Sequence, residues 1–203
     1  MEPFRRHTAI AVPYDQPNVD TDQIIPARFL RRKRSSGFAS FLFHDLRQDE
    51  QGRENPDFIL NKPAYRKAGI LVADNTFGSG SSREQAAWSL VDYGIRSVVA
   101  SSFGDIFYNN SFKNGLLPVR LADDIVRGLR AQLHATPGSQ MTIDLEEQVV
   151  IGPKGDRYPF EIEPFRKRCL MLALDDIGIT LEYEKQIAAF EQTYKGRRPW
   201  VAR

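Results

Sequence analysis

The middle of the chain repeats one pattern, a short apolar run followed by a longer amphipathic stretch. Three runs have the composition of buried strands, at residues 69–75 ("GILVADN"), 95–102 ("IRSVVASS") and 116–121 ("LLPVRL"). Helical spacing follows each run, at residues 82–93, 105–115 and 122–135. Because strands that alternate with helices of this length form βαβ units, we predict a core of three parallel strands.

The segments on either side of this core predict a simpler arrangement. "HTAIAVPY" (7–14) alternates like a strand, and residues 141–152 and 158–164 predict a hairpin pair around "PKGD". Two further helices are expected at 165–175 and 180–194. We therefore expect residues 1–203 to form a single α/β domain, in which helices flank a partly parallel central sheet with antiparallel additions.

Two regions lack a clear period. Residues 28–57 contain the basic run "RRKRSSG" and the polar run "RQDEQGRENPD", with only a short apolar segment between them. This composition is typical of exposed loops, so we predict that residues 28–57 are mobile. Residues 195–203 are predicted to form a basic tail.

The composition is that of a globular protein, with 41% hydrophobic residues and a net charge of +2. A charge this small gives no indication of a nucleic-acid partner. The sequence has no apolar run of about 18 residues and no signal-peptide pattern, so we expect a cytoplasmic protein with no membrane span. The one cysteine, Cys169, lies among apolar residues and is expected to be a buried thiol. A lone cysteine excludes an intrachain disulfide and an iron–sulfur cluster held by this chain alone.

The turn "FGSGSSREQAAWSL" (77–90) joins the first predicted core strand to its helix and allows two interpretations. Ser81 and Glu84, or Ser82 and Gln85, have the spacing of a helix capping box. Alternatively, the turn binds an anion, since glycines and free N–H groups collect at such a helix start and Arg83 adds a guanidinium. The turn lacks the third glycine of a dinucleotide fingerprint, the lysine of a P-loop and the second glycine of a nucleophile elbow.

Two more polar groups are candidates for a site. Asp20 and Asp22 in "NVDTDQ" are either turn residues or site residues. Calcium binding is disfavoured, because Ile24, Ile25 and Pro26 occupy later positions of the loop. The run Arg31–Arg34 is either a solvated loop or a contact for an acidic partner or a substrate carboxylate.

Several of these stretches together resemble a known family, the swivelling β/β/α-type domain of the aconitase superfamily. The chain is most similar to the family of bacterial 3-isopropylmalate dehydratase small subunits. The similar motifs are "NVDTDQIIPARFL", "GSGSSREQAAWSL", "SFGDIFYNNSFKNGLLPV" and "FRKRCLMLALDDIGITL", and they span essentially the whole chain. The resemblance implies a hydro-lyase of leucine biosynthesis that interconverts 2-isopropylmalate and 3-isopropylmalate through isopropylmaleate.

The resemblance also implies residue roles, partners and a cofactor. Ser81 matches the catalytic serine, and Asp22 matches a catalytic-site aspartate. Ser82 and Arg83 match residues that hold the substrate carboxylate, and Arg34 is the arginine of "ARFLRRKR" that best fits a further substrate contact. A [4Fe-4S] cluster is expected on a separate large subunit, with no metal or cofactor on this chain. The expected partners are that large subunit and a small diacid, with neither nucleic acid nor membrane.

A serine hydroxyl needs strong help to act as a base. A helix N-terminus stabilises a negative charge by about 2 kcal/mol at best, which lowers a pKa by only about 1.5 units. We therefore expect the lone chain to be inactive and the site to form at a subunit interface. The alternatives are the small subunit of a homoaconitate or citraconate hydratase, and a non-catalytic anion-binding or nucleic-acid-binding protein.

Overall fold

The described part of the chain contains seven strands that form one mixed sheet. The structure is a computed structural model that describes residues 1–80, 83–198 and 200. The strands are β1 (Arg6–Tyr14), β2 (Ala68–Ala73), β3 (Ser97–Ala100), β4 (Leu117–Arg120), β5 (Gln140–Asp144), β6 (Val149–Ile151) and β7 (Arg157–Pro159). Their order in the sheet is β4-β3-β2-β1-β5-β6-β7.

The helices connect or cover these strands. The α-helices are α1 (Thr21–Ile24), α2 (His44–Arg47), α3 (Glu84–Tyr93), α4 (Asp105–Lys113), α5 (Asp123–Ala135), α6 (Pro164–Leu172), α7 (Asp176–Leu181) and α8 (Glu184–Arg197). Short 3₁₀ turns lie at Ala27–Phe29, Arg34–Ser36, Ala39–Phe41 and Ile59–Asn61. No helix in the described ranges is long and apolar enough to cross a membrane.

Strand β1 is the junction between the two halves of the sheet. Its second half, from Ile10 to Tyr14, pairs in parallel with β2, while its first half, from Arg6 to Ile10, pairs antiparallel with β5. The α/β class and the partly parallel sheet are thus confirmed. The prediction of three parallel strands was wrong, because β1, β2, β3 and β4 pair in parallel. The alternating first half of β1 did not indicate that its buried second half, "AVPY", pairs with β2.

The two faces of the sheet have separate cores. Leu71 and Ala73 of β2 face α3 and the segment 38–65, whereas Ile70 and Val72 face α5 and α6. This alternation follows from the period of two along a strand. Both faces of β2 are buried, which is why its sequence is continuously apolar.

The region between β1 and β2 has little regular structure but contributes to the core. Phe38, Leu42 and Phe43 are fully buried against the α3 face. Phe43 stacks on Tyr14 at the end of β1, with ring centroids 5.1 Å apart. The predicted mobility of residues 28–57 stays a prediction.

The C-terminal segment differs from the sequence-based expectation. Two helices, α7 and α8, replace the single helix predicted at 180–194. Asp175 starts α7 by accepting a hydrogen bond of 2.7 Å from the Gly178 N–H. Residues 184–193 of α8 are all exposed.

The two outer strands of the sheet are short. β4 and β7 lie at the edges, and each contains a proline, Pro118 and Pro159 respectively. Proline cannot donate a ladder hydrogen bond, so edge strands are where a sheet accepts it.

Candidate functional site

Three turns meet at the carboxyl edge of the parallel strands. The turn after β1 is bonded to the turn after β2, since Gly78 N donates to Val19 O at 2.7 Å and Thr21 N donates to Ser79 O at 2.9 Å. The turn after β2 is bonded in turn to the one after β3, where Phe77 N donates to Ser102 O at 3.1 Å. In an open α/β sheet this edge is where ligands bind.

Two glycines allow this close approach. Gly78 has a φ of +75°, and a Cβ at this position would lie 2.3 Å from Cγ of Phe107. A Cβ on Gly104 would lie 2.4 Å from the carbonyl oxygen of Gly78. Any larger residue would therefore force the turn after β2 away from the start of α4.

Two non-glycine residues at this edge also have left-handed backbone conformations. Asn18 and Thr76 both have a φ of +54°. For a β-branched residue such as Thr76 this conformation is strained, and strain of this kind collects at functional sites. The neighbouring turns hold both residues, since Asn18 N donates to Asn75 O at 3.0 Å and Thr76 N donates to the Ser102 hydroxyl at 2.8 Å.

Asp20 and Asp22 occupy different positions in the short helix α1, Asp20 as its N-cap and Asp22 within its first turn. Asp20 forms a capping box with Gln23: its carboxylate accepts from Gln23 N at 2.8 Å, and its own N–H donates to Gln23 Oε1 at 3.0 Å. Asp20 is therefore a turn residue. Asp22 lies in the first turn of α1, and its side chain is 56% exposed.

Asp22 pairs with Arg83 across two of these turns. The Asp22 carboxylate contacts Nη1 of Arg83, and the Arg83 side chain is only 15% exposed. A guanidinium has five donors, and one carboxylate engages at most two of them. Arg83 can therefore hold Asp22 and still bind a second carboxylate.

The helix after this turn begins later than predicted. Arg83 is the residue before the first turn of α3, and its side chain makes no capping hydrogen bond. The capping-box interpretation concerns Ser81 and Ser82, which lie outside the described residues, and it stays a prediction. Glu84 accepts from Asn114 Nδ2 at 2.9 Å, and Asn114 Oδ1 accepts from the Trp88 indole at 2.8 Å. Asn114 thus links α3 to α4.

The predicted residues Ser81 and Ser82 lie outside the described residues. Their neighbours on either side are described. Gly80 has a φ of +88°, and a Cβ there would lie 3.5 Å from Cβ of Asp20. Arg83 contacts Asp22 as above. The catalytic and binding roles of the two serines stay predictions.

The structure does not bring Arg34 to the Asp22–Arg83 pair. Arg34 Nη2 donates to Asp92 Oδ1 at 2.6 Å, and the guanidinium carbon lies 5.2 Å from the centre of the Trp88 ring. Asp92 is near the end of α3, nine residues beyond Arg83, which at 1.5 Å per residue is about 13 Å along the helix. The substrate role of Arg34 stays a prediction.

Tyr14 and Cys169 are among the groups whose pKa values are shifted, and neither belongs to the Asp22–Arg83 pair. Burial raises the pKa of Tyr14, the last residue of β1, to about 12. Burial also raises the pKa of Cys169 on α6, which is 7% exposed. The prediction of a buried thiol is confirmed. The described residues include no group of three or more histidine, cysteine or acidic side chains that could hold a metal ion.

Sequence reasoning missed one charged cluster at this edge. Arg130 of α5 contacts both Asp15 and Asp74, the first residues after β1 and β2. The sequence could have indicated it, because Arg130 is a charged residue at a core-facing position of α5, where the other buried residues are apolar.

Comparison with known proteins shows the family to which this chain belongs. A family model described as the aconitase C-terminal domain matches residues 1–124. The fold is therefore that of an aconitase-type C-terminal domain. Two further models match the remainder: LeuD_N matches residues 128–164, and the C-terminal domain of the 3-isopropylmalate dehydratase small subunit matches residues 176–203.

Individual relatives narrow the class. The 3-isopropylmalate dehydratase small subunit of Brevibacillus brevis is 53% identical over 191 residues, covering 94% of this chain and 98% of its own. That of Paramagnetospirillum magneticum is 50% identical, covering 99% of this chain and 100% of its own. A crystal structure of 3-isopropylmalate dehydratase from Methanocaldococcus jannaschii superimposes with a TM-score of 0.66 at 26% identity, covering 92% of this chain and 99% of that one. This chain belongs to the family of 3-isopropylmalate dehydratase small subunits.

Proposed function

We propose that this chain is the small subunit of a hydro-lyase that interconverts 2-isopropylmalate and 3-isopropylmalate through isopropylmaleate, in cytoplasmic leucine biosynthesis. The observation that carries the proposal is the Asp22–Arg83 ion pair, which joins the two turns that contain the family motifs. Relatives about half identical over nearly the whole chain support the same reaction.

The residues divide the chemistry between them. Arg83, with Ser82, binds a substrate carboxylate and so fixes the carbon next to it. Ser81, as an alkoxide, removes the proton from that carbon. The hydroxyl group takes a proton from the acid–base group of the partner and leaves the neighbouring carbon as water, and the two steps reverse on rehydration. Asp22 orients Arg83 and an acid–base group supplied by the partner. The site holds its ligand by charge-assisted hydrogen bonds, which are the strong class for carboxylates.

The site needs a second subunit to work. Asp22 is 56% exposed, so water reaches one side of the site in the lone chain. The helix start alone lowers a serine pKa by only about 1.5 units, far too little for a base at neutral pH. The one thiol of this chain, Cys169, is buried on α6, which supports an iron–sulfur cluster on the other subunit. We propose that a large subunit holds a [4Fe-4S] cluster, which supplies Lewis-acid binding of the substrate hydroxyl group.

Anaerobic reconstitution tests the proposal. The chain is purified together with a cluster-containing large subunit, and hydration of isopropylmaleate is compared with hydration of citraconate and of the homoaconitate intermediate. We expect turnover only from the pair, with isopropylmaleate as the preferred substrate. Preference for another diacid would reassign the substrate, and turnover by the lone chain would refute the shared site.

A single variant tests the role of the serine. Ser81→Ala should lower kcat at least about 1,000-fold, because removal of a reacting group abolishes the proton transfer. Its binding to the large subunit should be unchanged. Ser139→Ala, just before β5, is the matched control for loss of a hydroxyl. Wild-type turnover by Ser81→Ala would refute the assigned role.

A further inference from the structure

A buried arginine, Arg130, contacts the residues at which the turns after β1 and β2 begin. Arg130 projects from α5, and its side chain is only 9% exposed. Its Nη1 lies 2.8 Å from Asp74 Oδ2 and 3.2 Å from Asp15 Oδ1. One nitrogen thus bridges two carboxylates, one directly after β1 and the other directly after β2.

The positions of the two aspartates connect this bridge to the site. Asp15 directly follows β1 and begins the turn that leads through Asn18 to Asp22. Asp74 directly follows β2 and begins the turn that leads through Thr76 to Arg83. Asn18 and Thr76, which both have left-handed backbone conformations, therefore each lie within three residues of a carboxylate held by Arg130.

A third side chain holds one arm of the bridge. His134, one helical turn after Arg130 on α5, lies with Nε2 2.7 Å from Asp15 Oδ2. Side chains of α5 thus contact both oxygens of Asp15 and one oxygen of Asp74, whose other oxygen accepts from Asn75 N at 2.7 Å. The start of the first turn is fixed against the helix as well as against the second turn.

Stability alone is a poor reason for such a cluster. Replacing a buried ion pair with apolar residues of similar volume is often neutral or stabilising. The neighbouring core positions of α5, Val126, Leu129 and Leu133, are all apolar and buried. A charge at this one position holds two carboxylates at a set separation, which an apolar side chain cannot do.

We propose that Arg130 is a positioning residue, which sets the spacing of the two turns that carry Asp22 and Ser81–Arg83. This role in catalysis rests on the proposed function. The bridge fixes where each turn starts, and the backbone hydrogen bonds from Gly78 and Thr21 fix where the turns meet. Misplacement of a catalytic group by about 1 Å can cost about 100-fold in rate.

Amide hydrogen exchange on the full chain tests the positioning without an activity assay. In Arg130→Met, we expect exchange at Asn18, Gly78 and Ser79 to become at least tenfold faster, while exchange in β3 and α4 stays as in the wild type. Arg127→Met on the same helix is the control, because Arg127 is 65% exposed and pairs with Asp123 within that helix. A uniform increase over the whole chain, or no increase in the two turns, would overturn the proposal.

A second variant covers the case in which Arg130→Met fails to fold. Asp15→Asn removes the charge from the first turn and leaves the Arg130–Asp74 pair intact. We expect its faster exchange to be confined to Asn18 and its neighbours. Unchanged exchange at Asn18 would overturn the bridging role.

Kinetics of the reconstituted pair then test the effect on the reaction. Arg130→Met should lower kcat/KM about 100-fold at equal folded fraction, Arg130→Lys should recover part of this loss, and Arg127→Met should match the wild type. Full activity of Arg130→Met would overturn the catalytic consequence. An inactive wild-type pair would instead count against the proposed function, and hydrogen exchange would still decide the positioning.

Discussion

The carboxyl edge of the parallel strands and the C-terminal arm, residues 176–197, are built in opposite ways. At the edge, backbone hydrogen bonds join turns from three strands, and Gly78 and Gly104 bring them into direct contact. In the arm, large apolar side chains remain exposed, with Ile177 at 71%, Leu181 at 60% and Phe190 at 63%. The contacts from the arm to the body include the pairs Lys113–Asp176 and Arg168–Glu182, both at the surface.

The turns at the carboxyl edge are held by hydrogen bonds from several sides, whereas the arm has large exposed apolar side chains. Groups that bind a ligand at fixed distances need a backbone that is held from several sides. The arm carries none of the candidate site residues, and its helices are held by few contacts with the sheet. Substitutions in the two regions should therefore have unequal effects on stability.

The largest expected effect on stability is that of Gly78→Ala. The new Cβ would overlap Phe107 and would also meet the penalty of a positive φ. We expect the free energy of unfolding to fall by about 2 kcal/mol or more, and Tm by about 4–8 °C. Thermal unfolding measures both.

Gly52→Ala is the matched control for this change. Gly52 has nearly the same φ, +76° against +75°, but nothing within 4 Å of the added Cβ. We expect it to cost only about 1 kcal/mol. Equal losses for the two variants would mean that close approach at the edge contributes nothing.

An intermediate effect is expected from Tyr14 at high pH. Burial raises the pKa of Tyr14 to about 12, against about 10 in an unfolded chain. The folded state therefore keeps a proton that the unfolded state loses, so stability is complete below pH 10 and falls as the pH rises toward 12. At pH 11 this loss is about 1 kcal/mol.

Denaturant unfolding of Tyr14→Phe between pH 8 and 11 measures that contribution. The variant lacks the ionisable hydroxyl, so its stability should fall less steeply than that of the wild type. Tyr183→Phe, at a 56% exposed residue of the arm, is the control for loss of a phenol group. Parallel curves for Tyr14→Phe and the wild type would contradict the burial argument.

The smallest expected effect is that of Phe190→Ser in the arm. The side chain is 63% exposed, and its ring stacks on that of Tyr194 in the same helix, with the centroids 5.2 Å apart. We expect the free energy of unfolding of the lone chain to change by no more than about 0.5 kcal/mol. A loss above about 2 kcal/mol would show that the arm packs on the body in solution.

Local sequence patterns predicted the parts of the fold that depend on local chemistry. The continuous apolar runs of β2 and β3 and the helical spacing of α5 were sufficient to place them. β1 was harder, because one strand serves an antiparallel partner with its first half and a parallel partner with its second. The pattern of a single strand carries no information on which neighbour it pairs with.

The candidate site shows the same limit. Family motifs indicated Asp22 and Arg83 as site residues, but only the fold shows that they touch. The pairing of Arg34 with Asp92 and of Arg130 with Asp15 and Asp74 joins residues far apart in the chain, and no spacing rule predicts such pairs. The hydrogen bond from Asn114 to Glu84 likewise joins residues 30 positions apart, and no local pattern predicts it.

The two edge strands, β4 and β7, affect the tendency of the chain to aggregate. Pro118 and Pro159 leave the sheet borders without a full set of N–H donors, and both border strands are only three or four residues long. Short borders interrupted by proline resist the strand-to-strand addition that leads to aggregation. Both edges of the sheet thus oppose pairing with a second copy of the chain.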